Sequence, residues 1–588
     1  MSEPATAVES IPRTADLLTA TTANGRARAA ALSANLIAER TPVSLVSYKS
    51  TGHLLVIGEI KDSIPLIKRL PTEVRCTLLV YSNAHKFHAS KSPSKNTKTG
   101  SKGPLHVGEI DGVSVVTGIL TALHGSLGQF TVLVSGEEGD VNLAELVLRT
   151  HKAFDLVLDL TSPAHIGSEI PPFGYYAPGN DAAALERALR EIPDMVGEFE
   201  KPKYFHYNPD ICAHGASGIK GCQRCLEACP TLAITSIGDK ISVDPYLCQG
   251  GGSCASACPT GAITYVYPSP GDLLDGVRTV LKYYRNESGR QPVVLFYDAG
   301  IGRQSFERMA AQLPEYIIPF EVEEVGSLGM DTWLTTLAYG ASAVRVLMTT
   351  AITPAVRQEL ENQAKYAGSI LSGMGYASEC LQLIQTNDDF APPVALIDPP
   401  QAEIKPANFA ALNEKRTMIR MAVDHLYDQA PKRKPYTALP DGAPFGQIMV
   451  DRKGCTLCLS CVSVCPSSAL TDGGELPQLN FTEWNCVQCG LCETACPEQV
   501  ITRAARFVYD PDIRRTSRIL NEDKVFCCVS CGKPFATQRL MDRMSEKLAG
   551  HWMFQTNDAK RRIQMCDDCR VKDMFMQAGG MDHVYKKP

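Results

Sequence analysis

The residues that carry most of the chemistry in this sequence are its cysteines. Of 22, only Cys76 and Cys380 stand alone; the others fall at 212–258, 455–496 and 527–569. Thiols gathered in this way, in a chain with no secretory signal, read as metal ligands rather than disulfides. The middle group contains Cys455-x2-Cys458-x2-Cys461-x3-Cys465-Pro466 and, after twenty intervening residues, Cys486-x2-Cys489-x2-Cys492-x3-Cys496-Pro497. Three thiolates on one tight loop wrap three corners of an iron–sulfur cubane. The fourth opens a helix and points away, toward the neighbouring cluster. The spacing therefore predicts one [4Fe–4S] cluster on Cys455, Cys458, Cys461 and Cys496, and a second on Cys486, Cys489, Cys492 and Cys465. Proline after each last cysteine has a fixed φ and no N–H, which suits the change of direction there.

The first group is an altered copy. It holds Cys212, then Cys222-x2-Cys225-x3-Cys229-Pro230, then Cys248-x5-Cys254-x3-Cys258-Pro259. Aligned on the middle group, the first cysteine should lie at Ile219. Cys212 lies seven residues upstream, and a glycine-containing loop is expected to return it to the vacant corner, beside Cys222, Cys225 and Cys258. His214 is the rival ligand, and its plainer reading is a surface residue. In the second half, Gly251 stands where a cysteine belongs, leaving Cys248, Cys254 and Cys229. Three thiolates suit a [3Fe–4S] cluster, or a [4Fe–4S] whose fourth iron takes solvent, Ser253 or an exogenous ligand, or no cluster at all. Each group places a short helix, a turn and a strand between its cysteine loops, as two-cluster ferredoxins of the bacterial type do. Three or four [4Fe–4S] clusters, or one [3Fe–4S] in place of the fourth, are expected.

The last group pairs Cys528-x2-Cys531 with Cys566-x2-Cys569 across 34 residues. Four thiolates in two knuckles favour a closed tetrahedral Zn2+ site of structural kind. A further Fe–S cluster is the alternative there, and Cys527 is left spare.

These groups need a scaffold. At 588 residues the chain is too long for one core. The expected layout is a flexible leader at 1–40, an α/β domain at 41–200, an altered two-cluster ferredoxin module at 201–270 and a small doubly wound α/β domain at 271–400. A helix and linker at 401–445, a two-[4Fe–4S] module at 446–510 and a zinc-ribbon-like module at 511–588 complete it. The fold class is thus multidomain α/β plus α+β. Helices are predicted near 26–39, 304–313, 329–340, 354–374 and 408–428, and strands at 44–48, 53–60, 76–81, 113–120, 130–135 and 154–160. The lysine-rich loop 83–104 reads as a solvated tether. A net charge of −6 argues against a nucleic-acid protein that relies on basicity. No apolar run is long enough to span a bilayer, and a cytoplasmic location is expected. Gly300-Ile-Gly302 after a strand is a partial dinucleotide fingerprint that reads better as a tight turn, since its third glycine is missing. The histidines at 53, 85, 88, 106, 124 and 151 have no metal spacing, and Cys76 reads as a buried small apolar residue. No catalytic residue is assigned.

From about residue 204 the chain resembles the large 4Fe–4S binding proteins that accompany molybdenum or tungsten formate dehydrogenases in proteobacteria. The likeness rests on GCQRCLEACPTLAI, LTTLAYGASAVRVL, CTLCLSCVSVCPSSAL, CVQCGLCETACPE, CGKPFAT and MCDDCR. LGMDTWLTTLAYGASAVRVL is also similar to the small iron–sulfur subunit of methyl-viologen-reducing hydrogenases, without its cysteines. The resemblance implies an electron carrier, more than a catalytic chain, that relays electrons to or from a redox partner such as formate dehydrogenase. An assembly, maturation or redox-sensing factor for such an enzyme is the second reading. A catalytic subunit using a flavin or nucleotide in the 292–385 region is the third.

Overall fold

The computed structural model describes residues 17–34, 44–81, 105–386, 396, 403–474 and 476–577. The loop 83–104 and the leader before residue 17 lie outside them, as does His85 with His88.

Continuous apolar runs become strands buried on both faces. His53–Gly58 is buried throughout, and its period of two divides it between two cores. Leu54 and Val56 pack on one face, Leu55 and Ile57 on the other. It lies inside a six-stranded sheet ordered Tyr175–Tyr176, Leu156–Asp159, His53–Gly58, Arg75–Tyr81, Val113–Gly118, His106–Ile110. All neighbours are parallel except the last pair. The strand expected at 44–48 runs as Leu45–Ser50, outside this sheet, antiparallel to Gly197–Pro202. The run 113–120 breaks in two, and Leu120–His124 joins Thr131–Ser135 and Asp140–Asn142 in a separate antiparallel sheet. Cys76 is half-buried rather than buried, at the margin of the first core.

The second sheet is four parallel strands in the order Ile317–Val322, Val293–Asp298, Ala343–Met348, Leu381–Gln385. Val294 and Phe296 face one helical layer; Val293, Leu295 and Tyr297 face the other. The first layer holds the helices Pro270–Asn286, Met330–Ala338, Pro354–Gly373 and Lys415–Asp428 around Trp333. Each large aliphatic side chain buried there contributes about 1.5–3 kcal/mol.

Two expectations change here. Within the expected leader, helix Ala23–Ala34 is docked, burying Ala27 and Ala31 in this core. Its Arg28 donates to the carbonyls of Pro314 at 3.1 Å and Ile317 at 3.0 Å. Its low apolar content hid this, because the docking face uses alanine and one arginine. The helix expected at 408–428 begins only at Lys415, and 408–414 is irregular.

Two small units carry most of the cysteines and share one plan. In the first, Phe205–Tyr207 pairs antiparallel with Ile263–Tyr265, and Ile234–Ile237 with Lys240–Val243. In the second, Gly446–Val450 pairs with Ile501–Val508, and Leu470–Gly473 with Leu476–Phe481. The second unit is seated on the doubly wound core: Phe445, Phe507 and Tyr509 belong to it, and the Tyr509 hydroxyl donates to the Ile370 carbonyl at 2.6 Å. The chain closes with a hairpin, Val525–Cys527 against Pro534–Thr537, and helices Gln538–Leu548, Asn557–Ile563 and Asp567–Gln577.

Candidate metal centres

The second cysteine unit folds its thiols into two apolar pockets. Cys455, Cys458, Cys461 and Cys496 line one with Leu457, Leu479 and Ile501. Cys465, Cys486, Cys489 and Cys492 line the other with Ile448, Leu470 and Phe481. The last cysteine of each run thus turns into the pocket of the other run. The first unit repeats this once: Cys212, Cys222, Cys225 and Cys258 share a pocket with Tyr207, Ile241 and Ile263. The cavity left between the thiols is ≈ 20 Å³ in each of the three pockets.

The backbone explains how four cysteines converge. In the Cys455 loop, Leu457 and Leu459 adopt left-handed φ of 56° and 59°; in the Cys486 loop, Gln488 and Gly490 adopt 55° and 88°. These turns on either side of the second cysteine curl the loop so that its thiols point inward. The third residue after each final cysteine is also left-handed, four times over: Leu232 at 56°, Gly261 at 78°, Ser468 at 50° and Gln499 at 53°. Three of these are not glycine, so side-chain identity gave no signal of the repeat, and each accepts a conformation that costs non-glycine residues energy.

Cys212 reaches its pocket because residues 213–221 fold away as a two-stranded turn, Gly215–Ala216 against Ile219–Lys220. Ile219, where spacing places a cysteine, is in that turn. His214 is not at the surface: it is 2 % exposed. Its Nδ1 lies 2.9 Å from the Cys222 carbonyl and its Nε2 2.7 Å from Ser236 Oγ, so both ring nitrogens are engaged within the protein.

Cys229, Cys248 and Cys254 form the fourth set. Burial, then the neighbouring Cys248 and Cys229, push the Cys254 thiol well above its usual range. Gly250 and Gly252 hold φ of 81° and 76°, matching the residues that flank Cys458 and Cys489. Gly251 therefore occupies the place of the second cysteine. A Cβ there would stand 3.5 Å from Pro230 and 3.9 Å from Val356, in ordinary contact. Ser253 is buried and its hydroxyl donates to the Ala228 carbonyl at 2.5 Å, which turns it to the backbone. The doubly wound domain closes over this loop, with Gly326 against the Gly251 carbonyl and the Ser256 hydroxyl donating to the Gly326 carbonyl at 2.9 Å. On its other side Lys201 donates to the carbonyls of Cys248 at 2.5 Å and Tyr246 at 3.2 Å.

Burial is the largest influence on Cys222, Cys461 and Cys486. It pushes Cys222 and Cys486 up to about 11 and Cys461 up to about 12. Buried thiols in such numbers ionise readily only with a cation to share, so loading them releases protons. Polar groups are already aimed at some sulfurs: Ala469 N–H at Cys465 from 3.3 Å and Gln488 Nε2 at Cys486 from 3.3 Å. Thr231 and Thr260 hydroxyls sit 3.4 and 3.5 Å from Cys229 and Cys258, each two residues on.

At the carboxyl end, the ligand atoms of Cys528, Cys531, Cys566 and Cys569 all lie within 4.8 Å of one another. Cys531 and Cys566 sulfurs are 3.7 Å apart. Tetrahedral thiolates on one ion with bonds of about 2.3 Å stand ~3.8 Å apart, whereas a cubane holds its terminal thiolates farther apart. Burial opposes the Cys528 thiolate, but backbone amides of Cys566, Cys531 and Ser530 turn on it and bring it down to about 6. Cys527 is exposed and outside the group.

The Gly300–Gly302 turn is filled by the protein itself. Asp298 accepts from the amides of Gly300 at 3.0 Å and Gly302 at 2.9 Å, at the helix start where a phosphate would bind. Among the amino-domain histidines, His53 is buried with its ring 4.6 Å from that of His151.

Comparison with known families agrees with this geometry in two places. Residues 447–497 match the 4Fe-4S dicluster domain, and residues 241–264 match the 4Fe-4S binding domain. The second match covers the Gly251 loop, whose pattern persists without its second cysteine. No curated protein matches the chain. The protein thus combines ferredoxin-type 4Fe–4S regions, a mixed α/β body and a four-cysteine group able to hold a metal. No helix among the described residues is long and apolar enough to cross a membrane.

Proposed function

We propose that this protein is an iron–sulfur electron carrier of the cytoplasm, which relays electrons to or from a molybdenum or tungsten enzyme such as formate dehydrogenase. In this reading the three four-cysteine pockets hold [4Fe–4S] clusters on the residues grouped above. Cys229, Cys248 and Cys254 hold a [3Fe–4S] cluster, because the fourth corner meets apolar Pro230 and Val356 and Ser253 is turned away. Cys528, Cys531, Cys566 and Cys569 hold Zn2+. When bound, the clusters supply one-electron exchange; the chain insulates, orders and spaces them.

One observation carries the proposal. The two cysteine units abut, so that the sites follow one another. Cys254 lies close enough to Cys225 and Cys258 to be influenced by their charge, Cys222 close to Cys489, and Cys492 close to Cys461. At the junction, a Cβ on Gly221 would come within 2.7 Å of Leu491. A protein that needed clusters only for structure has no reason to align them across a domain boundary. The resemblance to proteins that accompany formate dehydrogenases supports the choice of partner. The test is anaerobic stopped-flow absorbance of the full chain with formate and a catalytic amount of such a dehydrogenase. Bleaching within the enzyme's turnover time is expected, with none when the dehydrogenase is omitted. No bleaching with formate, in a sample that dithionite bleaches fully, contradicts the assigned partner.

A further inference from the structure

Helix Lys415–Asp428 has two faces with different duties. Met418, Ile419, Ala422, Val423 and Leu426 are buried in the doubly wound core. Arg416 and Arg420 flank that face, and together with Lys415 in the first turn they reach both cysteine units. Lys415 donates to the Ala255 carbonyl at 2.9 Å and the Ser256 carbonyl at 2.5 Å, the end of a short helix in the first unit.

Arg416 bridges the units. Its Nη1 donates to the carbonyl of Pro259, the residue after Cys258, at 3.3 Å, and to that of Pro444 at 3.2 Å. Its Nη2 donates to the carbonyls of Trp484 and Cys486, both at 3.0 Å. The guanidinium stacks 4.6 Å from the Phe445 ring, and its Nε is buried without a partner. No carboxylate is placed in an ion pair with it among the described residues, so four backbone oxygens hold the cation. A buried cation held only by neutral carbonyls is expensive, and an apolar residue would pack the same seam at lower cost. Its two ends touch backbone beside Cys258 and at Cys486, one thiol from each of the two inner sites.

We propose that Arg416 is the positioning residue of the step between the two cysteine units, and that its fixed charge raises the potential of both inner sites. The proposal rests on the relay reading. The step moves one electron: as one inner site is oxidised the other is reduced, and no proton or group is transferred. Each gain of an electron adds negative charge, which a cation held at the seam stabilises. Arg224, between Cys222 and Cys225, adds to the same field from the first unit.

The test is a mediated, EPR-monitored redox titration of the anaerobically purified full chain as wild type, Arg416→Gln and Arg416→Lys. Arg416→Gln is expected to shift the reduced-to-oxidised ratio of two centres about tenfold, ~59 mV for one electron, toward the oxidised form. The other two centres stay where they are, iron and sulfide per chain are unchanged, and Arg416→Lys recovers most of the shift. A role confined to packing gives no selective shift. All centres unmoved, all moved alike, or Arg416→Lys displaced as far as Arg416→Gln overturns the proposal. Should Arg416→Gln lose iron, Arg416→Lys decides: retained inner potentials support the proposal and displaced ones overturn it. Mediators replace the partner in this titration, so a failed formate reaction sinks the partner assignment and leaves this result standing.

Discussion

Replacing Gly251 with cysteine is expected to convert the Cys229, Cys248 and Cys254 site from three thiolates to four. The reason is local. Gly250 and Gly252 already hold the two left-handed turns that flank the second cysteine in the complete loops, and Gly251 itself needs no positive φ. An added Cβ meets only Pro230 and Val356 at van der Waals distance, so no backbone shift is required. The loop is otherwise locked, since Gly326 and Ser327 press on it from the doubly wound domain. The expected result is one more iron per chain, from about fifteen to about sixteen, and loss of the EPR signal that an oxidised 3Fe centre gives. An unchanged 3Fe signal with unchanged iron would show that the corner is closed to a ligand, and no 3Fe signal in either protein would show that no 3Fe cluster forms there.

Stripping the metal from the carboxyl-terminal site is expected to unfold that lobe while leaving the iron in place. Its apolar centre consists of Cys528, Met565 and Cys566, with Phe535 and Cys569 against them. The ligands are the core, and little else would hold the lobe together. Structural zinc in small modules contributes about 10–16 kcal/mol of apparent binding free energy at neutral pH, which becomes folding energy. The lobe is tied to the Cys455 loop by the Thr537 hydroxyl donating to the Thr456 carbonyl at 3.1 Å. Arg543 and Glu498 add an ion pair at 3.0 Å. A single ion pair that is half-exposed on the arginine side contributes little alone. Chelation, or Cys566→Ala, should therefore open residues 525–577 to limited proteolysis with zinc lost and iron and sulfide retained. A lobe that stays protease-resistant without metal would contradict the structural role.

Much of the candidate site is legible in the sequence, because cysteine spacing maps directly onto a short loop and one helical turn. The sets of thiols that share pockets in the second unit follow from that spacing alone, including the exchange of Cys465 and Cys496. Cys212 is harder: its return depends on a two-stranded turn at 215–220 that no periodicity announces. His214 illustrates the opposite failure. A lone polar residue in a glycine-rich stretch reads as surface, yet it is buried because a carbonyl and a serine hydroxyl satisfy its ring. The leader misleads for a similar reason, since Ala27 and Ala31 bury little area and give a weak amphipathic signal. The role of Lys415–Asp428 is invisible in sequence altogether. Its apolar face announces a helix, but nothing local says that its basic edge meets two units some 160 and 70 residues away in the chain, as the Lys415–Ala255 and Arg416–Cys486 bonds show.

In the relay reading, one chain holds four iron–sulfur sites in sequence and one structural zinc. Iron, acid-labile sulfide and zinc measured per chain on anaerobically purified full-length protein test it most directly. About fifteen irons and one zinc are expected. Iron near eight, the content of a single two-cluster unit, would contradict it, because the first cysteine unit would then carry no clusters and the relay would have no path across the seam.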